Sequence, residues 1–428
     1  MIAPVLYLGV SVVGGSLTSL ALLPGPRRGK VPALFFLAGI MVGELAPLHI
    51  AWQVIATAAF IRAGALDRWP GWVGLAISLA SWSGLVLAIA RGQRAVAAIE
   101  SSLVDTLGPA YRDEIEQDLR GDLRSGSSIE WWHNPFRSRA RGVERIRNIS
   151  YGPNGKRNLL DVYRPSEGGR QRPTLVYVHG GAWTMGSKNW AGLPLVLHLA
   201  ARGWVCVTPN YRLSPQATFP DHLIDLKLVL AWIRRDGEAY GADPGFVVVS
   251  GGSAGGHLAA LLALTANDPA LQPGFEEVDT SVAGAVPLYG SYDLLDRRGV
   301  RPDSFQKEFL EKRVLKTSPE ADAPGWERAS PRYHVRPDAP PFFVIHGRHD
   351  SLLFWEDARY FVEALRSVSA QPVVYAELPG AQHAFDQFHS VRGIAVAEGV
   401  ARYLAWLQST RRPRPAPSPA DVGDPPGG

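Results

Sequence analysis

Cysteine is nearly absent: Cys206 is the only one among 428 residues. A lone thiol closes no intrachain disulfide, so the fold rests on its core and nothing demands an oxidising compartment. Cys206 sits in the apolar run Trp204-Val205-Cys206-Val207, with no histidine-bearing motif around it. It reads as a small buried strand residue. Charge is absent from the front of the chain, where Ile2 to Leu23 carries no Asp, Glu, Lys or Arg. Without a cationic segment before it, this stretch does not read as a cleaved secretory signal, and two more apolar stretches follow. Also lacking are a basic helix and any zinc-ligand spacing. The net charge of +4 comes from scattered arginines, so nucleic acid is not an expected partner.

Long apolar runs dominate the first 90 residues. About 20 apolar residues suffice to cross a bilayer. Ile2 to Leu23 meets that length and stops at Pro24-Gly25-Pro26-Arg27-Arg28. A second run extends from Val31 to about Ile61, broken only by Glu44 and His49, with a kink expected near Pro47. A third runs from about Trp72 to Ala90 and stops at Arg91. Residues 1–91 thus form a transmembrane region of about three helices. Arg27, Arg28 and Lys30 then share a side with Arg91 and Arg94, opposite Arg62 and Arg68. The cation excess places the C-terminal part in the cytoplasm of a multi-pass membrane protein. Glu44 is costly at membrane depth and functional by default, yet the sequence reveals no partner for it.

Residues 92–142 form an expected amphipathic linker, with Val96, Ile99, Leu103, Leu107, Ile115 and Leu119 at helical spacing. Trp131-Trp132-His133-Asn134-Pro135-Phe136 and the following arginines suit a membrane interface, with lipids as partners, or equally packing on the next domain. Residues 411–428, rich in Pro, Gly and Ala, read as a disordered tail.

From 143 to 410 strand and helix patterns alternate. Strands are expected at Arg145–Tyr151, Leu159–Tyr163, Thr174–His179, Trp204–Thr208, Phe246–Ser250, Ala283–Leu288, Phe342–His346 and Val373–Leu378. Helices are expected at about Leu193–Arg202, Asp221–Arg235, Ala254–Ala266, Glu356–Ser367 and Gly393–Gln408. Near-continuous apolar strands imply helices on both faces of a mostly parallel sheet, an α/β class. The first two strands, joined by Gly152-Pro153-Asn154-Gly155, read as an antiparallel edge hairpin.

The chemistry sits between these elements. Gly251-Gly252-Ser253-Ala254-Gly255 follows Phe246-Val247-Val248-Val249 and opens a helical pattern. A strand, a G-x-S-x-G turn and a helix expose a serine at the top of a sheet. A serine hydroxyl needs an adjacent base to act as nucleophile. His383, in the loop after the last strand, is the candidate; His346, His349, His389 and His257 are its rivals. Asp350, just past Phe343-Val344-Ile345-His346, is the candidate acid, with Asp293 and Asp386 as rivals. His179-Gly180-Gly181-Ala182-Trp183 follows the third strand, and its backbone N–H groups with that of Ala254 suit a developing alkoxide.

Together with Asn210-Tyr211-Arg212-Leu213-Ser214-Pro215 and Phe219-Pro220, these residues resemble the α/β-hydrolase superfamily, from about Ile146 to Leu407. More narrowly they are similar to carboxylesterases of the hormone-sensitive-lipase type. The resemblance implies Ser253 as nucleophile, Asp350 as acid and His383 as base. It implies an oxyanion hole from Gly181, Ala182 and Ala254, with Gly180 shaping the turn. Two positions depart from the pattern: Ala182 replaces the usual third glycine, and Gln216 replaces an acidic residue, leaving a local salt bridge in doubt. The apolar front also resembles membrane-bound isoprenylcysteine methylesterases and some actinobacterial esterases.

Residues 293–341 are expected to form a small helical lid, with Trp183, Trp190, Phe219 and Trp326 either lining an acyl pocket or filling the core. The expected function is a membrane-anchored carboxylesterase acting on a small-molecule or lipid ester, without metal or organic cofactor. A serine amidase, an acyltransferase and a non-catalytic membrane binding protein are the alternatives.

Overall fold

The computed structural model describes residues 2–27, 31–122, 134–190, 192–301 and 305–411. The expected tail, the Trp131-Trp132-His133 cluster and the cations Arg28 and Lys30 lie outside the described residues. Eight strands form one sheet in the order β1-β2-β4-β3-β5-β6-β7-β8. They are Val143–Ser150, Leu159–Pro165, Arg172–Val178, Val205–Pro209, Ala242–Gly252, Gly284–Leu288, Phe342–Gly347 and Val373–Leu378. β1 pairs antiparallel with β2, and β2 with β4. The remaining pairs are parallel.

Side chains alternate across a strand, and here the alternation separates two cores. Val176, Val178, Val247 and Val249 enter one cluster. Leu175, Tyr177, Phe246 and Val248 enter the other. Both faces are buried, which is why the strands read as unbroken apolar runs.

Twelve α-helices are described: α1 Ile2–Leu22, α2 Pro32–Ala38, α3 Ala46–Arg62, α4 Trp69–Leu107, α5 Gln117–Asp122, α6 Leu193–Ala200, α7 Asp221–Asp236, α8 Ala254–Leu264, α9 Phe305–Phe309, α10 Ala323–Arg328, α11 Trp355–Arg366 and α12 Val391–Arg411. Residues of α7, α8 and α11 fill the first cluster; those of α6 and α12 fill the second.

The N-terminal helices are apolar. α1 and α4 each have the length and composition to cross a bilayer. α2, with the π-turn Gly39–Gly43 after it, is bent by 78° from α3, so this pair makes a third crossing only if counted as one broken span. The break falls at Glu44-Leu45, just before Pro47 in the first turn of α3. Small and hydroxyl-bearing residues join α1 to α4, as in helix packing without a hydrophobic drive: Ser11 meets Ser78 at 3.0 Å and Thr18 meets Ser81 at 2.8 Å.

The charge at Arg91 ends the apolar run but not the helix. α4 continues through it for 39 residues, because Ala95, Ile99 and Leu103 are buried in the second cluster with Val396, Val400 and Leu404 of α12. The front half of what reads as a linker is therefore a helical layer of the α/β domain. Among the expected apolar positions, Ile99, Leu103 and Ile115 are buried, whereas Val96 is exposed.

Candidate active site

Four loops at the C-terminal ends of the parallel strands carry the candidate residues. β5 ends at Gly252 and α8 begins at Ala254. Ser253 lies between them at φ 60° and ψ −123°, a left-handed turn that costs an L-residue energy. Glycines on either side make that turn possible. A Cβ on Gly255 would lie 2.1 Å from the Val178 carbonyl oxygen, and one on Gly251 2.5 Å from it. No L-side chain fits in either gap, so helix α8 can sit this close to β3 only with glycine there.

The loop after β3 folds over this turn. A Cβ on Gly180 would meet that of Ser253 at 3.2 Å, so Gly180 lies directly beside the serine. Gly181, Ala182 and Trp183 all have positive φ, at 116°, 49° and 58°. Ala182 therefore holds a conformation that favours glycine, and its methyl group accompanies the departure seen in the sequence. His179 is buried, stacks on Tyr211 at 4.4 Å between ring centroids, and carries Nδ1 2.7 Å from the Gly180 carbonyl. Burial pushes its pKa down to about 4, so it is a neutral structural imidazole.

The loops after β7 and β8 bring Asp350 and His383 together. His383 Nδ1 lies 2.7 Å from Asp350 Oδ2, and both residues are about 5% exposed. Asp350 Oδ1 accepts the Leu352 and Leu353 N–H groups at 2.9 and 2.8 Å. Burial opposes a charge on Asp350. The facing His383, with His346 at 3.3 Å, outweighs burial and holds the carboxyl well below the ordinary carboxylate range. A carboxylate only accepts hydrogen bonds, so His383 Nδ1 donates to Asp350 and Nε2 is the ring nitrogen turned to other partners.

No hydrogen bond joins Ser253 to His383 among the described residues. Tyr289, the residue after β6, packs on both loops. Its ring is 4.7 Å from that of His383, and a Cβ on Gly252 would lie 2.2 Å from its hydroxyl. Tyr289 donates in turn to Asp386, which also accepts from Tyr177 at 2.5 Å. Gln382 Oε1 accepts the N–H groups of Ser351 at 2.6 Å and His383 at 3.0 Å, tying the two loops to each other.

The rivals Asp386, Asp293 and His257 have other partners, whereas His346 shares Asp350. Asp386 is held by the two tyrosines, and Asp293 accepts the Leu295 and Arg297 N–H groups. His257 accepts from the Trp183 indole at 3.2 Å and has Nε2 2.7 Å from the Ala329 carbonyl. Trp326 is fully buried core, Trp183 is nearly so, and Trp190 is 56% exposed. Arg212 pairs with Asp221 and Asp225, each at 2.9 Å, so an ion pair survives without an acid at Gln216. Tyr289 and Gln382 were not singled out from the sequence; their only signal is their place just past a strand end or beside the candidate base.

This sheet order, with a serine on a strained strand-to-helix turn, defines an α/β-hydrolase. Relatives narrow the class. The chain is 40% identical to the probable carboxylic ester hydrolase LipM of Mycobacterium tuberculosis, over 96% of this chain and 95% of that protein. It is 43% identical to esterase LipQ of the same organism, over 74% of this chain and 76% of that protein. The chain belongs to this carboxylic ester hydrolase family. The BD-FAE family model matches residues 160–365, a span that encloses Gly180, Ser253 and Asp350. An Arabidopsis thaliana isoprenylcysteine alpha-carbonyl methylesterase is 29% identical over 53% of each chain, in line with the looser resemblance. Among solved structures, Thermogutta terrifontis esterase 2 phosphonylated by sarin superposes at a TM-score of 0.52. It is 26% identical and covers 65% of this chain and 98% of its own.

Proposed function

We propose that the protein is a membrane-anchored serine carboxylesterase working through an acyl-enzyme. The observation that carries this reading is the buried Asp350–His383 pair at 2.7 Å, at the same end of the parallel strands as a serine on a strained turn. His383 Nε2 takes the Ser253 proton while Ser253 Oγ bonds to the ester carbonyl carbon. Backbone N–H groups of the Gly180-Gly181-Ala182 loop and of Ala254 hold the alkoxide; each such donor is worth roughly two to three orders of magnitude in rate. Collapse breaks the bond to the alcohol, which leaves with the proton from His383. Water then gives its proton to His383, attacks the acyl carbon and releases the acid and Ser253. Asp350 fixes the imidazole tautomer and stabilises the imidazolium.

What supports anchoring is the length and composition of α1 and α4 together with the exposed apolar residues along them, among them Val5, Val12, Val13, Leu79 and Val86. The match to LipM leaves out only a few residues of the chain, so it takes in part of this region. Ser253→Ala is expected to abolish hydrolysis of p-nitrophenyl esters and covalent labelling by a fluorophosphonate, a reagent class to which the sarin-modified relative responds. Turnover or labelling retained by that variant refutes the assignment.

A further inference from the structure

The geometry points to α2 as a wall of the substrate site, with Phe36 a specificity-determining residue for long-chain esters dissolved in the bilayer. This deepens the ester-hydrolase reading and rests on it. The seven residues of α2 are too few to cross a membrane, and the 78° bend directs them away from α3. They lie against the acid and base loops. Ser351, next to the acid, donates from Oγ to the Pro32 carbonyl at 2.9 Å. Gly39, at the end of α2, sits on Gln382, where a Cβ would come within 2.6 Å of the Gln382 side chain. Between them, the Phe36 ring lies edge-on to the His383 imidazole with centroids 5.8 Å apart. An apolar residue of the broken span is therefore a direct neighbour of the proposed base.

The other side of α2 is open and apolar. Leu34 is 50% exposed and Leu37 is 53% exposed. The rest of the N-terminal region exposes apolar side chains of the same kind along α1, α3 and α4. On this inference a long chain runs from the reacting carbonyl past Phe36 onto these open leucines, whereas an acetyl group has too few carbons to leave the reacting centre. The occupant is thus an ester with one long hydrocarbon chain, entering from the lipid side.

The test compares the full chain in phosphatidylcholine vesicles on p-nitrophenyl laurate and p-nitrophenyl acetate. Phe36→Ala is expected to lower the laurate-to-acetate ratio of kcat/KM by about tenfold or more, the scale of a lost apolar pocket contact. A ratio that stays constant while both rates fall makes Phe36 a support for His383 and overturns the inference. The double variant Leu34→Ser, Leu37→Ser alters exposed positions, so its folding is not at issue, and it is expected to lower the same ratio. An unchanged ratio there is equally fatal. Wild-type protein inactive on both esters refutes the ester-hydrolase reading itself, and the inference falls with it.

Discussion

Asp350 has no free valence left for an alternative role. Its carboxylate takes two backbone N–H groups, the His383 Nδ1–H, and His346 Nε2 at 3.3 Å. His346 Nε2 also faces the Leu353 carbonyl at 2.9 Å. Two acceptors flank that nitrogen, so it carries a proton. Burial alone would lower the His346 pKa, but the Asp350 carboxylate raises it above the ordinary value. Asp350→Asn keeps the volume and removes the charge, and its amide can offer a donor where the imidazole must donate. The wrong tautomer of His383 then puts a proton on the nitrogen needed as base. The expected loss in kcat is roughly four orders of magnitude, as for the equivalent change in a serine protease. Steady-state kinetics at saturating ester would check it. A loss under tenfold would show that Asp350 does not orient the base.

Among the elements, the junction between the broken span and α12 is the most exacting. Glu44, just after the π-turn, is 6% exposed; it pairs with Arg392 and accepts from Ser390 Oγ at 2.6 Å. Removing one partner of a buried ion pair leaves the other charge stranded, which costs about 3–5 kcal/mol. Glu44→Ala is therefore expected to lower the stability of the detergent-solubilised protein by that order, read by chemical denaturation. Adding Arg392→Met to Glu44→Leu should restore most of it; a double variant no better than the single one would rule out a stranded charge. This pair also marks the limit of what the chain reveals by itself. The inner strands were legible because each is an apolar run bounded by turn residues, the polar edge strand β1 because a turn joins it to β2, and the Ser253 turn because its glycines are local. Asp350 and His383 were legible by order and by strand ends. Glu44 and Arg392 stand 348 residues apart, and no local pattern links them. Phe36 likewise looked like one apolar residue among many, since its contact with His383 exists only after α2 bends. Arg91 misled in the other direction: charge ends an apolar run, whereas only tertiary packing decides where a helix ends.

For the molecule as a whole, α4 sets the relation between anchor and enzyme. Its 39 residues extend about 58 Å at 1.5 Å per residue, roughly twice the hydrocarbon thickness of a bilayer. The first half suits lipid, and the second is a layer on α12, so one rigid rod joins the two regions. Further contacts fix the same end. Arg27 bonds to Glu356 of α11, and Arg91 donates to the Leu22 carbonyl at the end of α1. Arg27 and Arg91 thus lie at the end of the bundle that meets the catalytic domain, while Arg62 and Arg68 flank the far turn between α3 and α4. Cations near span ends favour the cytoplasm, and we propose that the catalytic domain lies on that side. The single buried thiol makes this easy to check. In a Cys206→Ser background, Glu167→Cys puts a thiol at a site whose side chain is 81% exposed. Arg68→Cys puts one at the opposite end. A membrane-impermeant maleimide is expected to label the position-68 variant in intact cells and the position-167 variant only after permeabilisation. The reverse pattern would turn the protein over in the bilayer.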